Sequence, residues 1–280
     1  MLSQENRCSA EHNAIVKAHL HKHGYVASGV VAVLCARHAL VRRNGAGDMQ
    51  KDERYANTDF VLFSTLMGSS LNLLLSYDIA CQWSRNLLKR MRELPEALQL
   101  EADTMPAIRY SIPKKHYRVH GPNHSQYSLN YQQHVGRTYG EGIESQWSHL
   151  NPIALSTREM SPGACHEVLN DNWGAWNWQK VLSFGKLEVH CARIIALIYT
   201  TWTGTDFLRA LREAREMRTI QKRNFENYSS TFKPDLVAQW EKMVDAWDQD
   251  PSKPDPYEET TIRMLLQLFS HMIYTDHPVL

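Results

Sequence analysis

The run Leu71-Asn72-Leu73-Leu74-Leu75-Ser76-Tyr77-Asp78 most constrains what this chain can fold into. It is apolar, short and lacks a helical period, which suits a strand buried on both faces, extending to about Ile79. A strand of that kind needs a covering layer on each side, so the surrounding chain must supply helices. The run ends on a carboxylate. Aspartate at such a position either caps the following helix or offers an oxygen ligand to a metal ion, and local sequence leaves both roles open.

Other segments fill in a mixed order of elements. Residues from about Ala10 to Lys22 read as a short histidine-rich helix. Val30-Val31-Ala32-Val33-Leu34-Cys35 is a second short apolar strand, with Ala39-Leu40-Val41 as its neighbour, ended by the turn-type residues Asn44-Gly45-Ala46-Gly47-Asp48. Arg54 to Met67 suits a helix with Tyr55, Phe60, Phe63, Leu66 and Met67 on one side, broken at Gly68-Ser69-Ser70. Gln82 to Leu94 follows as a helix, and Ala107 to Val119 as a weak strand interrupted at Pro113. Gly140 to Leu150 is helical, and Ser161-Pro162 opens a further helix through a serine cap and a proline in the first turn. Beyond it the chain reads as helical apart from Gly204 and the loop Asp250 to Pro256, with Leu236, Trp240, Met243, Val244 and Trp247 forming an amphipathic stripe. The expected fold class is therefore mixed α/β, with a catalytic-type layer over residues 1–160 and a mostly helical extension over 161–280.

Charge and cysteine usage narrow the function. Lys and Arg number 31 against 30 Asp and Glu, so no basic excess marks a dedicated DNA-binding module, although Arg85, Lys89, Arg90 and Arg92 make one local basic face. Five cysteines without paired spacing argue against a secreted disulfide framework. The first residues lack the apolar core of a signal peptide, and no apolar run approaches the ~18 residues of a membrane span. The expectation is an intracellular protein, nuclear or cytoplasmic, with no membrane partner.

A series of motifs then runs in order along the chain. Cys35-Ala36-Arg37-His38, Gly47-Asp48-Met49-Gln50-Lys51-Asp52-Glu53-Arg54-Tyr55 and Tyr77-Asp78-Ile79-Ala80-Cys81-Gln82-Trp83 come first. Ile112-Pro113-Lys114-Lys115-His116, Gly140-Glu141-Gly142-Ile143-Glu144-Ser145-Gln146-Trp147, Ser156-Thr157-Arg158-Glu159-Met160 and Asp171-Asn172-Trp173-Gly174-Ala175-Trp176-Asn177-Trp178 follow, with Pro254-Asp255-Pro256-Tyr257-Glu258 last. This set resembles the KDZ (Kyakuja–Dileera–Zisupton) transposases, abundant in fungal genomes, from about Cys8 to Tyr257. The resemblance implies an RNase H-like catalytic domain whose Asp-Asp-Glu carboxylates hold two Mg²⁺ ions for DNA cleavage and strand transfer. It makes Asp78 the second aspartate and Glu141 or Glu144 the glutamate. The two glutamates are three apart on one helix, so spacing does not choose between them, and Glu141 is preferred.

Several departures from the family pattern carry their own expectations. The family's first aspartate lies on a central first strand in an Asp-x-Asn-Phe-like segment, and nothing like it precedes Cys8. The expectation is a transposase fragment with a truncated RNase H-like sheet, inactive as it stands. The alternative is a non-catalytic DNA- or protein-binding remnant. Ser145 stands where the family has arginine, Tyr139-Gly140-Glu141 where it commonly has Asp-Gly-Glu, and Asn123-His124 where a cysteine is frequent.

Cysteine and histidine pattern suggests a second metal. Cys8, His12, Cys35 and His38 form a quartet of the ligand types that suit tetrahedral Zn²⁺, against the reading that these cysteines are simply buried. His116, His120, His124 and His134 are other candidate ligands, while Cys81, Cys165 and Cys191 read as structural. A zinc hydrolase finds no HExxH pattern to support it. The eight tryptophans read as core rather than as base-stacking platforms.

Overall fold

The computed structural model describes residues 8, 26–50, 54–69, 71–100, 108–120, 123–183 and 195–257, without the side chains of 183, 195–208 and 210. The histidine-rich segment from Ala10 to Lys22, including His12, lies outside the described residues, as does Cys191. Two compact units divide the chain, Met1–Val181 and Leu182–Leu280.

The first unit begins with a hairpin. Strand β1 (Gly29–Leu34) pairs antiparallel with β2 (Val41–Met49), from Gly29 opposite Met49 to Leu34 opposite Val41. The expected turn at Asn44–Asp48 is instead the body of β2. The chain reverses at residues 36–39, where the Ala39 amide donates to the Cys35 carbonyl at 2.7 Å and Ala39 takes φ 54°. The turn-type residues serve close packing. A Cβ at Gly45 would lie 2.8 Å from the Arg42 carbonyl oxygen and 2.9 Å from that of Val33, and one at Gly47 would lie 2.7 Å from Val61 Cγ2. Asn44, at φ 53°, sits beside the register shift between Ala32 and Leu34. Glycine in a strand thus marks a bulge and a close helix approach.

Helix α1 (Tyr55–Leu66) packs on that hairpin and buries Tyr55, Asp59, Val61, Leu62, Phe63 and Leu66. Phe60 and Met67, expected on one side with Tyr55, Phe63 and Leu66, are instead 50% and 52% exposed. Strand β3 (Leu73–Ser76) is shorter than the apolar run and pairs parallel with β4 (Ile108–Ser111), Ser76 standing opposite Ser111. Between them the expected single helix is broken into α2 (Ala80–Trp83), a 3-10 turn (Ser84–Asn86) and α3 (Leu87–Met91). Arg90 Nη2 donates to the Trp83 carbonyl at the break, at 2.9 Å. Trp83, Leu87 and Met91 join Tyr55, Leu62, Phe63, Leu66 and Ile79 in one core cluster, with Leu73 and Leu75 of β3 against it. β4 stops before Pro113, which has no N–H to give a ladder, and the chain turns into α4 (Lys114–Tyr117) and the 3-10 turn Arg118–His120. Among the described residues the β1–β2 and β3–β4 pairs form separate two-stranded sheets.

Helices α5 (Gly142–Leu150), α6 (Ala154–Thr157) and α7 (Pro162–Ser183) complete this unit. Leu169 and Trp173 of α7 meet Leu150, with Val30, Val41 and Ala46 of the hairpin packed against them. Trp176 Nε1 donates to the Ala39 carbonyl at 2.6 Å. The Asn177 amide accepts from Val41 N–H at 2.8 Å and donates to its carbonyl at 3.0 Å, as a neighbouring strand would. Trp173 and Trp176 are thus core residues, while Trp178 is 62% exposed.

In the second unit, α8 (Ile195–Ser229) runs straight through Gly204, a cost of about 1 kcal/mol that a helix of 35 residues absorbs. α9 (Pro234–Gln249) follows; Phe232 sits between Tyr228 and Trp240, ring centroids 5.1 and 5.2 Å away, and Trp247 is buried edge-on to Tyr257. Among the described residues no helix is long and apolar enough to cross a membrane.

Candidate functional site

Asp78 and Glu141, two of the carboxylates singled out in the sequence, each lie near the carboxyl end of the parallel β3–β4 pair. Asp78 is half-buried in the turn after β3, and its Oδ1 accepts the Ile79 amide at 3.0 Å. The N-cap position of α2 is Ile79, and no side chain caps that helix, so Asp78 is not spent as a cap. Glu141 reaches the same end from a distant part of the chain. Its position follows from Gly140, which takes φ +77° and lies so close to β3 that a Cβ there would be 2.7 Å from Ser76 Oγ and 3.2 Å from Pro113 Cα. Glu141 Oε1 accepts the Lys115 amide at 2.7 Å, while its Oε2 is buried with no hydrogen-bond partner. Ser76 Oγ and Ser111 Oγ, opposite each other in the ladder, are also buried without partners. A buried carboxylate oxygen without a partner is a group that a bound cation would satisfy.

Glu144 differs in environment. Glu141 is the N-cap residue of α5 and half-buried, whereas Glu144 lies in the first turn and is exposed. The pair expected on one helix face is therefore split between a cap and a solvated turn.

A second cluster lies a few residues further along. Cys8 Sγ is 3.2 Å from His120 Nδ1 and 3.5 Å from His124 Nε2, and Cys81 Sγ is 3.5 Å from His120 Nδ1. All four ligand atoms lie within 4.8 Å of one another, a Cys₂His₂ set compatible with Zn²⁺. Burial, then the neighbouring Cys8 sulfur, pushes the Cys81 thiol up to about 12. The expected quartet is regrouped: Cys8 is held by Cys81, His120 and His124, and Cys35 Sγ instead meets His38 Nδ1 at 3.3 Å within the β1–β2 turn. Cys81, which reads as structural in the sequence, joins the candidate ligands here. The spacing His120-x₃-His124 is the one local sign of this set.

The basic face loses one member. Arg85, Lys89 and Arg92 are exposed, but Arg90 turns inward to pair with Asp59, its side chain only 12% exposed.

No curated protein and no solved structure matches this chain. A family model described as Kyakuja-Dileera-Zisupton transposase matches residues 2–177, well over half of the chain and nearly the whole of its first compact unit. With that model covering well over half of its residues, the chain belongs to the Kyakuja-Dileera-Zisupton transposase family.

Proposed function

We propose that the first unit is a DNA-transposase catalytic layer of RNase H-like type in which Asp78 and Glu141 are two of the three carboxylates of a Mg²⁺ site. The observation that carries this reading is the buried, unpartnered Oε2 of Glu141 at the strand end that Asp78 follows. A carboxylate oxygen so placed suits a divalent cation, which would activate a water or a DNA 3′-hydroxyl and stabilise the leaving oxygen. Exposed Glu144 is the weaker candidate. The two separate strand pairs fit the flanks of a sheet whose central, aspartate-bearing strand is not among the described residues. Asp78 and Glu141 alone would leave such a site one carboxylate short of the three it needs, so these 280 residues assayed by themselves are expected to be inactive.

Two measurements test this reading together. Fe²⁺ in place of Mg²⁺, with peroxide, should cut the backbone near Asp78 and Glu141, and Asp78→Ala should abolish those cuts. Cutting elsewhere removes the site assignment. A nicking and strand-transfer assay with Mg²⁺ or Mn²⁺ should show no product, and activity that disappears in Asp78→Ala would overturn the expected inactivity.

DNA is the partner this reading implies, and Arg85, Lys89 and Arg92 are its candidate phosphate-binding side chains. Replacing all three by alanine should weaken duplex binding irrespective of sequence. The slope of log affinity against log salt should fall by about one for each cationic side chain that engages a phosphate. An unchanged slope would move the DNA face elsewhere.

A further inference from the structure

We infer that Cys8, Cys81, His120 and His124 bind one Zn²⁺ as a closed structural site, independent of the carboxylate site. The argument is geometric. Zinc bonds of about 2.3 Å to sulfur and about 2.0 Å to nitrogen, at tetrahedral angles, set sulfur and nitrogen about 3.5 Å apart and the two sulfurs about 3.8 Å apart. Three of the four sulfur–nitrogen separations are 3.2, 3.5 and 3.5 Å, and no pair of ligand atoms exceeds 4.8 Å. Two thiols and two imidazole nitrogens converging on one point would be a poor apolar core. Around a divalent cation they are a complete shell, and two thiolates cancel the ion's charge, so the neutral site tolerates burial.

The ligands come from three separate parts of the chain. Cys81 is in α2, His120 ends the 3-10 turn after α4, and His124 precedes the next one, Ser125–Tyr127. Cys8 arrives from the amino-terminal part of the chain. Cys81 and His120 are buried and the other two half-buried, which leaves no open coordination position for substrate. The ion thus ties residue 8 to the ends of both parallel strands. It also holds the start of α2, three residues beyond Asp78.

X-ray absorption at the zinc edge on the whole chain, purified without chelators, tests this without any variant. The expected shell is two sulfurs at about 2.3 Å and two nitrogens at about 2.0 Å, with one zinc per chain. A shell of oxygen and nitrogen alone, or a folded chain that takes up no zinc, overturns the proposal. Variants then identify the ligands. In the Co²⁺-loaded protein, Cys8→Ala should lose about half of the thiolate-to-metal charge-transfer band, and Cys81→Ala the other half. Cys35→Ala and His38→Ala should leave both spectrum and stoichiometry unchanged. The reverse pattern, with metal lost on changing Cys35 and kept on changing Cys81, would assign it to the other cysteine–histidine set and refute this one. A Cys8–Cys81 disulfide in freshly reduced protein would refute it as well.

Discussion

Asp59→Ala is expected to lose about 3–5 kcal/mol of stability, enough to unfold much of the first unit. Asp59 is 1% exposed and serves three donors: Oδ1 accepts Trp83 Nε1 at 2.7 Å and Arg90 Nη2 at 3.2 Å, and Oδ2 accepts Arg90 Nε. The Arg90 guanidinium also lies 4.9 Å from the centre of the Tyr55 ring. Truncation strands a buried cation and an indole N–H together. Urea unfolding followed by tryptophan fluorescence measures the loss. The double variant Asp59→Leu, Arg90→Met removes both charges and should recover most of it, because packed apolar groups replace a buried ion pair at little cost. Failure to recover would mean the pair is worth more than its desolvation. Burial pushes the Asp59 carboxyl above its ordinary value, against the pull of Arg90 and Trp83. The folded chain therefore holds that proton to higher pH than the unfolded one. Stability should fall as pH rises from about 4 through the raised value and level off above it, a slope that Asp59→Asn lacks.

Gly140→Ala is expected to cost about 2–5 kcal/mol, combining left-handed backbone strain with overpacking. The new methyl would press on Ser76 Oγ, Leu129 Cδ1 and Pro113 Cα, two of them rigidly placed in or beside the paired strands. Gly136→Ala is the control: φ there is +62° with nothing within 4 Å of the added carbon, so only the backbone strain remains. Relative melting temperatures of the two variants separate packing from conformation. Gly140→Ala should also move Glu141 off the strand end and weaken the Fe²⁺ cut there, whereas Gly136→Ala should leave it intact. Equal effects from both variants would show that the close approach of Gly140 to β3 contributes nothing.

What the sequence determined by itself was local. The β-branched run at Val30–Val33, the apolar run through Leu73–Leu75 and the Ser161-Pro162 helix start were legible because period, branching and capping act over a few residues. The motif order was enough to identify the family. The tertiary structure decided everything that depends on approach between distant segments. Gly45 and Gly47 read as a turn because part of their reason for being glycine, the Val33 carbonyl and the Val61 side chain, lies 12 and 14 positions away. Arg90 read as part of a basic face until its partner, 31 positions away, turned it inward. Glu141 and Glu144 were equivalent by spacing, and the approach of Gly140 to β3 left one half-buried and the other exposed. The thiol–imidazole cluster spans separations of 39 to 116 residues. Cys81 and His120 follow β3 and β4, whose parallel pairing brings their carboxyl ends together, and pairing register is a property of the whole sheet.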